Sequence, residues 1–209
     1  MNADIIKNFF VFEGIDGAGT TTQIALLAKY LRDYGKSVLE TSEPTAGETG
    51  LFLRRCLSGA VPVQSETILM LFAADRNEHL FSSDGIISSL KTTDYVISDR
   101  YLFSSLAYQG ASGLFEQAQK FNGDFPLPEV LFFFDCAVET AFSRIEKRAA
   151  TKEIYETKLF QKKVQAMYKK VLLLYEKTPM HIVMVDANKS VDDVHAQITG
   201  ALQDLQILP

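Results

Sequence analysis

A chain of 209 residues, 47% of them hydrophobic, can bury a substantial core and is too apolar to stay unfolded in water. Its net charge of −5 argues against a broad nucleic-acid-binding face, while leaving room for a local arginine cluster that holds a small anion. Two cysteines, Cys56 and Cys136, cannot make a disulfide framework and fit a reducing compartment, so a cytoplasmic protein is expected.

In chain order, the opening MNADIIKNFFVFEG runs into a strand pattern over residues 9–13, without the basic, apolar and small-residue segments of a secretory signal. A helix is predicted over residues 21–34, where Ile24, Leu27, Ala28 and Leu31 share one face and Gly35 offers a C-terminal cap. A second strand is predicted over residues 37–41. Residues 65–80 have helical spacing but are apolar around most of their circumference, which predicts burial or an interface. Strands follow over residues 95–98, 130–135 and 181–186, with helical patterns over 137–149, 154–177 and 191–205. No run reaches the roughly 18–20 apolar residues of a membrane span, so no membrane partner is expected. The alternation predicts an α/β fold within one domain over residues 1–209: a parallel sheet of five strands with helices on both faces. Ligands of such sheets bind beyond the carboxyl ends of the strands, which selects residues 13–19, 42–44, 99–100 and Asp135 as the rim of one site.

The stretch FEGIDGAGTTTQ, residues 12–23, supplies the first part of that rim. Gly14 and Gly19 have the spacing of the phosphate-binding loop G-x-x-x-x-G-K-[ST], and Thr21 holds its hydroxyl position, but Thr20 stands where the motif has lysine. A loop through Gly14, Asp16, Gly17, Ala18, Gly19, Thr20, Thr21 and Thr22 can still turn backbone N–H groups toward an anion at a helix start. Thr21 can still offer its hydroxyl to Mg²⁺. What is missing is the ammonium that would reach the β- and γ-phosphates. A glycine-rich turn that binds nothing is the competing reading of this loop taken alone.

Three other segments bear on the choice. In LFAADRNEHLF, Phe72 and Arg76 are four residues apart on one helix face, so a ring and a guanidinium can meet a planar base; a core phenylalanine and a surface arginine have the same spacing. In SDRYLFSSLAYQG, Asp99 and Arg100 fall just beyond an apolar strand. There the carboxylate can serve a metal or a hydroxyl and the guanidinium can grip a phosphate, with a structural ion pair as the plain alternative. The charged segment RIEKRAATKEIYE, residues 144–156, reads as a mobile lid or as a solvated helix end.

Taken together, EGIDGAG, SEP, LFAADR, DRY with SSLAYQG, LPEVLFFFD, and EIYE with FQKKV resemble the thymidylate kinase family of P-loop nucleoside monophosphate kinases, over almost the whole chain. The resemblance implies a three-layer P-loop NTPase fold and transfer of the γ-phosphate of ATP to dTMP, giving dTDP and ADP. It also implies Mg²⁺ as the metal and a homodimer built on helices from the half of the chain that holds residues 65–80. Asp16 would meet the sugar 3′-hydroxyl. Phe72 would stack on thymine and Arg76 bond its edge, with Ser105 and Gln109 facing the base and Tyr108 packed where a 2′-hydroxyl would crowd. Arg100 would bind the acceptor phosphate, Asp99 would serve the metal and the reacting oxygen, and Tyr155 would lie over the nucleotide. One branch of the family has an arginine at the position of Gly17; the other takes its catalytic arginine from the lid, here Arg148 before Arg144.

The chain departs from the family pattern twice. Thr20 replaces the loop lysine, and Ser42 replaces the arginine that usually precedes Glu-Pro. Arg54 and Arg55 are the nearest basic residues to make up the second charge, and Lys147 or Lys152 of the lid the first. The leading expectation is an active kinase with an altered loop. The alternative is a catalytically impaired relative that holds nucleotide as a binding or regulatory module.

Overall fold

The computed structural model describes residues 4–147 and 157–207. At its centre is β1 (Ile5–Gly14), whose run Phe9-Phe10-Val11-Phe12 is wholly buried, as a strand covered on both faces should be. β3 (Tyr95–Asp99) and β4 (Leu127–Asp135) flank it. β2 (Val38–Ser42) and β5 (His181–Asp186) form the edges of an all-parallel sheet in the order β2-β3-β1-β4-β5. Aromatic rings bind these strands: Phe12 lies 4.9 Å from Phe132 and 5.5 Å from Phe134, and Phe10 lies 5.3 Å from Tyr95. Such pairs are worth about 0.5–1.5 kcal/mol each beyond their burial.

α1 (Thr20–Asp33) and α9 (Val191–Asp204) lie together on one face. Ile24, Leu27, Ala28 and Leu31 of α1 are buried as their spacing predicts, and Gly35, at φ +74°, closes the helix. On the other face α5 (Leu102–Ala111) packs on β1 beside α8 (Lys158–Tyr175). α3 (Ser65–Phe81) and α6 (Phe115–Asn122) pack against α5, α2 (Glu48–Leu57) against α3, and α7 (Val138–Lys147) against α8. α4 (Ile86–Ser89) is one short turn. This is a three-layer α/β arrangement of the P-loop NTPase type. Among the described residues no helix is long and apolar enough to cross a membrane.

The five expected strands are present, β5 with the expected bounds and the other four with shifted ends. α2, α4, α5 and α6 are additions that the spacing does not predict. The expected helical segments at 137–149 and 154–177 are α7 and α8; their parts at 148–149 and 154–156 lie outside the described residues. The apolar run in α3 is absorbed mostly within the chain. Leu69 joins the main core and Ile68 a smaller cluster with Leu53 and Leu57, with Leu71 and Phe72 packed against it; Met70 is left 48% exposed.

The parallel register aligns the strand ends that matter. Phe12 pairs with Asp99, and Asp99 with Ser42, so the turns after β1, β2 and β3 open side by side.

Candidate active site

The turn after β1 is shaped by two glycines. Gly17 has φ +83°, and a Cβ there would fall 2.5 Å from the Ala141 carbonyl oxygen, so only glycine lets α7 lie this close to the loop. Gly19, at φ +101°, starts α1. That helix has no side-chain cap and no acid in its first turn, so its first amides point into the loop with the positive end of the helix behind them. Thr20 is half-buried at the first helical position. The Thr21 hydroxyl donates to Asp99 Oδ2 at 2.7 Å.

Arg144 reaches this loop from α7. Its Nη1 donates to the Ala18 carbonyl at 3.1 Å and its Nη2 to the Ala187 carbonyl at 2.9 Å. A fixed guanidinium therefore braces the loop backbone. Lys147 is exposed at the end of α7. Arg148, Lys152 and Tyr155 lie outside the described residues.

A cavity of about 690 Å³ opens beside the loop, lined by Asp16, Gly17 and Thr21 on one side and by Ser42, Pro44, Arg54 and Phe72 on the other. Asp99, Arg100, Tyr108 and Gln109 also line it. Among the described residues its cationic side chains are Arg54 and Arg100. Arg54 donates to the Pro44 carbonyl, directly after the Ser42-Glu43 pair. Arg55 instead faces an outer groove with Leu51 and Phe52, and Asp135 does not line the cavity.

Arg100 adopts φ +73°, a left-handed conformation that costs an arginine about 1–3 kcal/mol. Its N–H donates to the Phe12 carbonyl at 2.9 Å, and its own carbonyl accepts from Ser98 Oγ at 2.7 Å. The guanidinium bonds Asp16 through Nη2 and Ser104 through Nη1, and lies 5.0 Å over the Tyr108 ring. The second carboxylate oxygen of Asp16 accepts from Gln161 at 2.6 Å. Beneath this turn sits Glu13, wholly buried. Burial pushes its carboxyl up to about 7, outweighing Arg100 and the bonds from Ser104, Tyr168 and Tyr101.

Gln109 and Arg76 occupy the far end of the site. Gln109 is 1% exposed, yet among the described residues neither its amide oxygen nor its amide nitrogen has a partner. Arg76 is wholly buried and stands behind the cavity lining. It pairs with Glu43, donates to Asn122, and reaches Ser105 Oγ at 3.1 Å. His79 holds the other Glu43 oxygen at 3.0 Å and Thr41 at 2.7 Å. The structure thus brings Asp16, Phe72, Asp99, Arg100, Tyr108 and Gln109 to one cavity and sets Arg76 and Ser105 one layer back. Sequence reasoning missed Glu43 and Asn122 as the partners that hold Arg76, and Glu13 as the anchor of the Arg100 turn. A lone acid ending the apolar run FFVFE was the available signal for Glu13.

A family model described as thymidylate kinase matches residues 12–198. A Treponema pallidum (strain Nichols) protein with a thymidylate kinase designation is 39% identical over 209 residues, covering 98% of this chain and 99% of its own length. A Methanocaldococcus jannaschii protein with the same kind of designation is 40% identical over 198 residues, covering 94% of this chain and 96% of its own. The thymidylate kinase of Leptospira interrogans serogroup Icterohaemorrhagiae serovar copenhageni is 32% identical over 189 residues, 89% of each chain.

Proposed function

The chain belongs to the thymidylate kinase family, and we propose that it is an active member, transferring the γ-phosphate of ATP to dTMP through a loop in which Thr20 takes the place of lysine. The observation that carries the reading is Gln109. A buried polar group without a partner costs about 1–3 kcal/mol, so an amide left open on both atoms at the wall of a cavity fits a ligand that satisfies it. One donor beside one acceptor is the complement of a pyrimidine edge. Phe72 supplies a flat apolar wall for the ring, and Arg100 a cation for the phosphate.

The chemistry then divides among named groups. The first amides of α1 hold the phosphates of ATP, and Arg100 holds the phosphate of dTMP. Asp16 takes the sugar 3′-hydroxyl and Tyr108 packs on the deoxyribose. Positioning of this kind is most of what phosphoryl transfer asks of a protein. Thr21 Oγ1 and Asp99 Oδ2 are oxygen donors of the kind Mg²⁺ takes. The described residues hold no cluster of three His, Cys, Asp or Glu side chains, which suits a metal completed by phosphate oxygens and water. When bound there, Mg²⁺ supplies charge neutralisation on the β- and γ-phosphate oxygens. Of the lid arginines, Arg144 braces the loop in this structure, so Arg148 is the proposed catalytic arginine, with Tyr155 over the nucleotide. Two copies would pair through α2 and α3, where Leu51, Phe52 and Met70 are exposed.

Thr20 and Ser42 favour a second reading, an impaired relative that binds nucleotide without turning it over. An ADP-release assay with dTMP and Mg-ATP separates them. Turnover at an ordinary kinase rate supports the first reading, and dTMP binding without ADP formation overturns it.

A further inference from the structure

Glu13 is the last side chain of β1 before the phosphate loop, and its two oxygens do different things. Oε1 accepts from the backbone N–H groups of Tyr101, at 2.8 Å, and Ser104, at 3.1 Å. Tyr101 is the cap residue of α5 and its side chain does not cap the helix, so a carboxylate from the neighbouring strand does so instead. Oε2 accepts from the hydroxyls of Ser104 and, at 2.8 Å, Tyr168. The Ser104 oxygen is in turn the acceptor for Arg100 Nη1 at 3.0 Å.

We propose that Glu13, as a carboxylate, is the positioning residue for the acceptor-phosphate arginine: it fixes both the turn that carries Arg100 and the serine that aims its guanidinium. This rests on the reading of Arg100 as the residue that holds the dTMP phosphate. Arg100 sits in a left-handed conformation that its own side chain disfavours, so the turn must be held from outside. Glu13 holds the amide immediately after it. Charge state matters at the other oxygen. A carboxylate there accepts both hydroxyl protons and leaves the Ser104 lone pairs to Arg100. A proton or an amide N–H at that end becomes a donor, and it competes with Arg100 for the same serine oxygen. The ionisable side chains facing Glu13 are Arg100 from the turn after β3 and Tyr168 from α8, and burial outweighs them enough to bring its titration close to neutral pH.

The test uses the whole chain and four variants: Glu13→Gln, Ser104→Ala, Arg100→Met, and Glu13→Gln combined with Arg100→Met. Arg100→Met should weaken calorimetric dTMP binding. Glu13→Gln should raise the KM for dTMP about 10-fold, within the range a sub-ångström misplacement produces, and leave the KM for ATP unchanged. In the Arg100→Met background it should add nothing, because its effect runs through that guanidinium. The ratio of wild-type to Glu13→Gln kcat/KM for dTMP should rise with pH through about 7. The ionisation of the acceptor phosphate is common to both proteins and cancels in the ratio. Ser104→Ala keeps the carboxylate and the helix cap, so it should repeat the KM effect even if Glu13→Gln folds poorly. A normal dTMP KM in both Glu13→Gln and Ser104→Ala, or full multiplication of losses in the double variant, overturns the proposal. An Arg100→Met protein that binds dTMP like the wild type overturns the acceptor-site reading beneath it.

Discussion

The Thr21 hydroxyl donates to Asp99 Oδ2 at 2.7 Å, which ties the turn after β1 to the carboxyl end of β3. In the proposed reaction the pair would offer two hard oxygens to a divalent cation. Asp99→Asn keeps the shape and removes the charge, and Thr21→Val removes the hydroxyl. Each should lower kcat by ~10²–10³, the usual worth of a preorganised electrostatic group, and raise the Mg²⁺ concentration at half-maximal rate. A Mg²⁺ titration of the rate checks this. Unchanged kcat in Asp99→Asn would leave the pair as a structural tie.

Gln109 should decide the base. With both amide atoms open to the ligand, Gln109→Leu should lose about 1–3 kcal/mol of dTMP binding, roughly 5- to 150-fold in Kd. Calorimetric titration of the native chain with dTMP, dCMP and dGMP should favour dTMP, since an edge that fails to match leaves buried groups unpaired. Equal affinity for all three would sink the thymine assignment.

Glu13 should cost stability at the pH where it serves Arg100. Its carboxyl is raised from 4.5 to about 7, so between those values the folded chain keeps a proton that the unfolded chain has lost. Stability therefore falls as pH rises through that window, by on the order of 3 kcal/mol, and the cost is fully present above it. Glu13→Gln has no proton to lose. It should show a flatter pH profile over the window. Urea midpoints taken from pH 5 to 8 measure this; parallel curves for the two proteins would refute it.

Leu51, Phe52 and Met70 are 47%, 39% and 48% exposed on the packed pair α2 and α3. They are the apolar surface through which the proposed dimer would pair. Light scattering at micromolar concentration should give a mass near twice the 23.3 kDa chain, and Phe52→Glu with Met70→Glu should return it to one chain. A native mass of one chain removes the dimer.

The strands were legible because each is a short apolar run with turn residues on both sides. The start of β1 was not, because Asn8 turns to φ +61° and the pairing with β4 shifts between Ile6 and Phe10. α5 escaped because every residue from Leu102 to Gly110 is buried, and a helix without a polar face has no amphipathic period to read. The site divides in the same way. The loop and the Asp99-Arg100 pair are local motifs. The burial of Arg76 depends on Glu43, 33 residues before it, and Asn122, 46 residues after it. Pairings over that distance belong to the fold and leave no local pattern.

Thr20 remains the decisive position. Arg144 stands beside the loop, but both its terminal nitrogens are committed to the Ala18 and Ala187 carbonyls. It therefore stiffens the loop backbone in this structure. The Thr20→Lys variant would place a mobile ammonium at the start of α1, where Gly17 and Gly19 keep the backbone open and Thr21 still faces Asp99. A charge that acts mainly on the transition state should raise kcat, by ~10-fold or more, and barely move the KM for dTMP. If a lid lysine has taken over the role, the new ammonium would crowd it and the gain would vanish. Lys147→Ala or Lys152→Ala in the native chain would then lose far more activity than a solvated lysine should. A chain that only binds nucleotide would take ATP more tightly as Thr20→Lys and still release no ADP. The expected outcome is measurable native turnover that Thr20→Lys increases. Silence from both proteins in the dTMP assay would end the active-kinase reading.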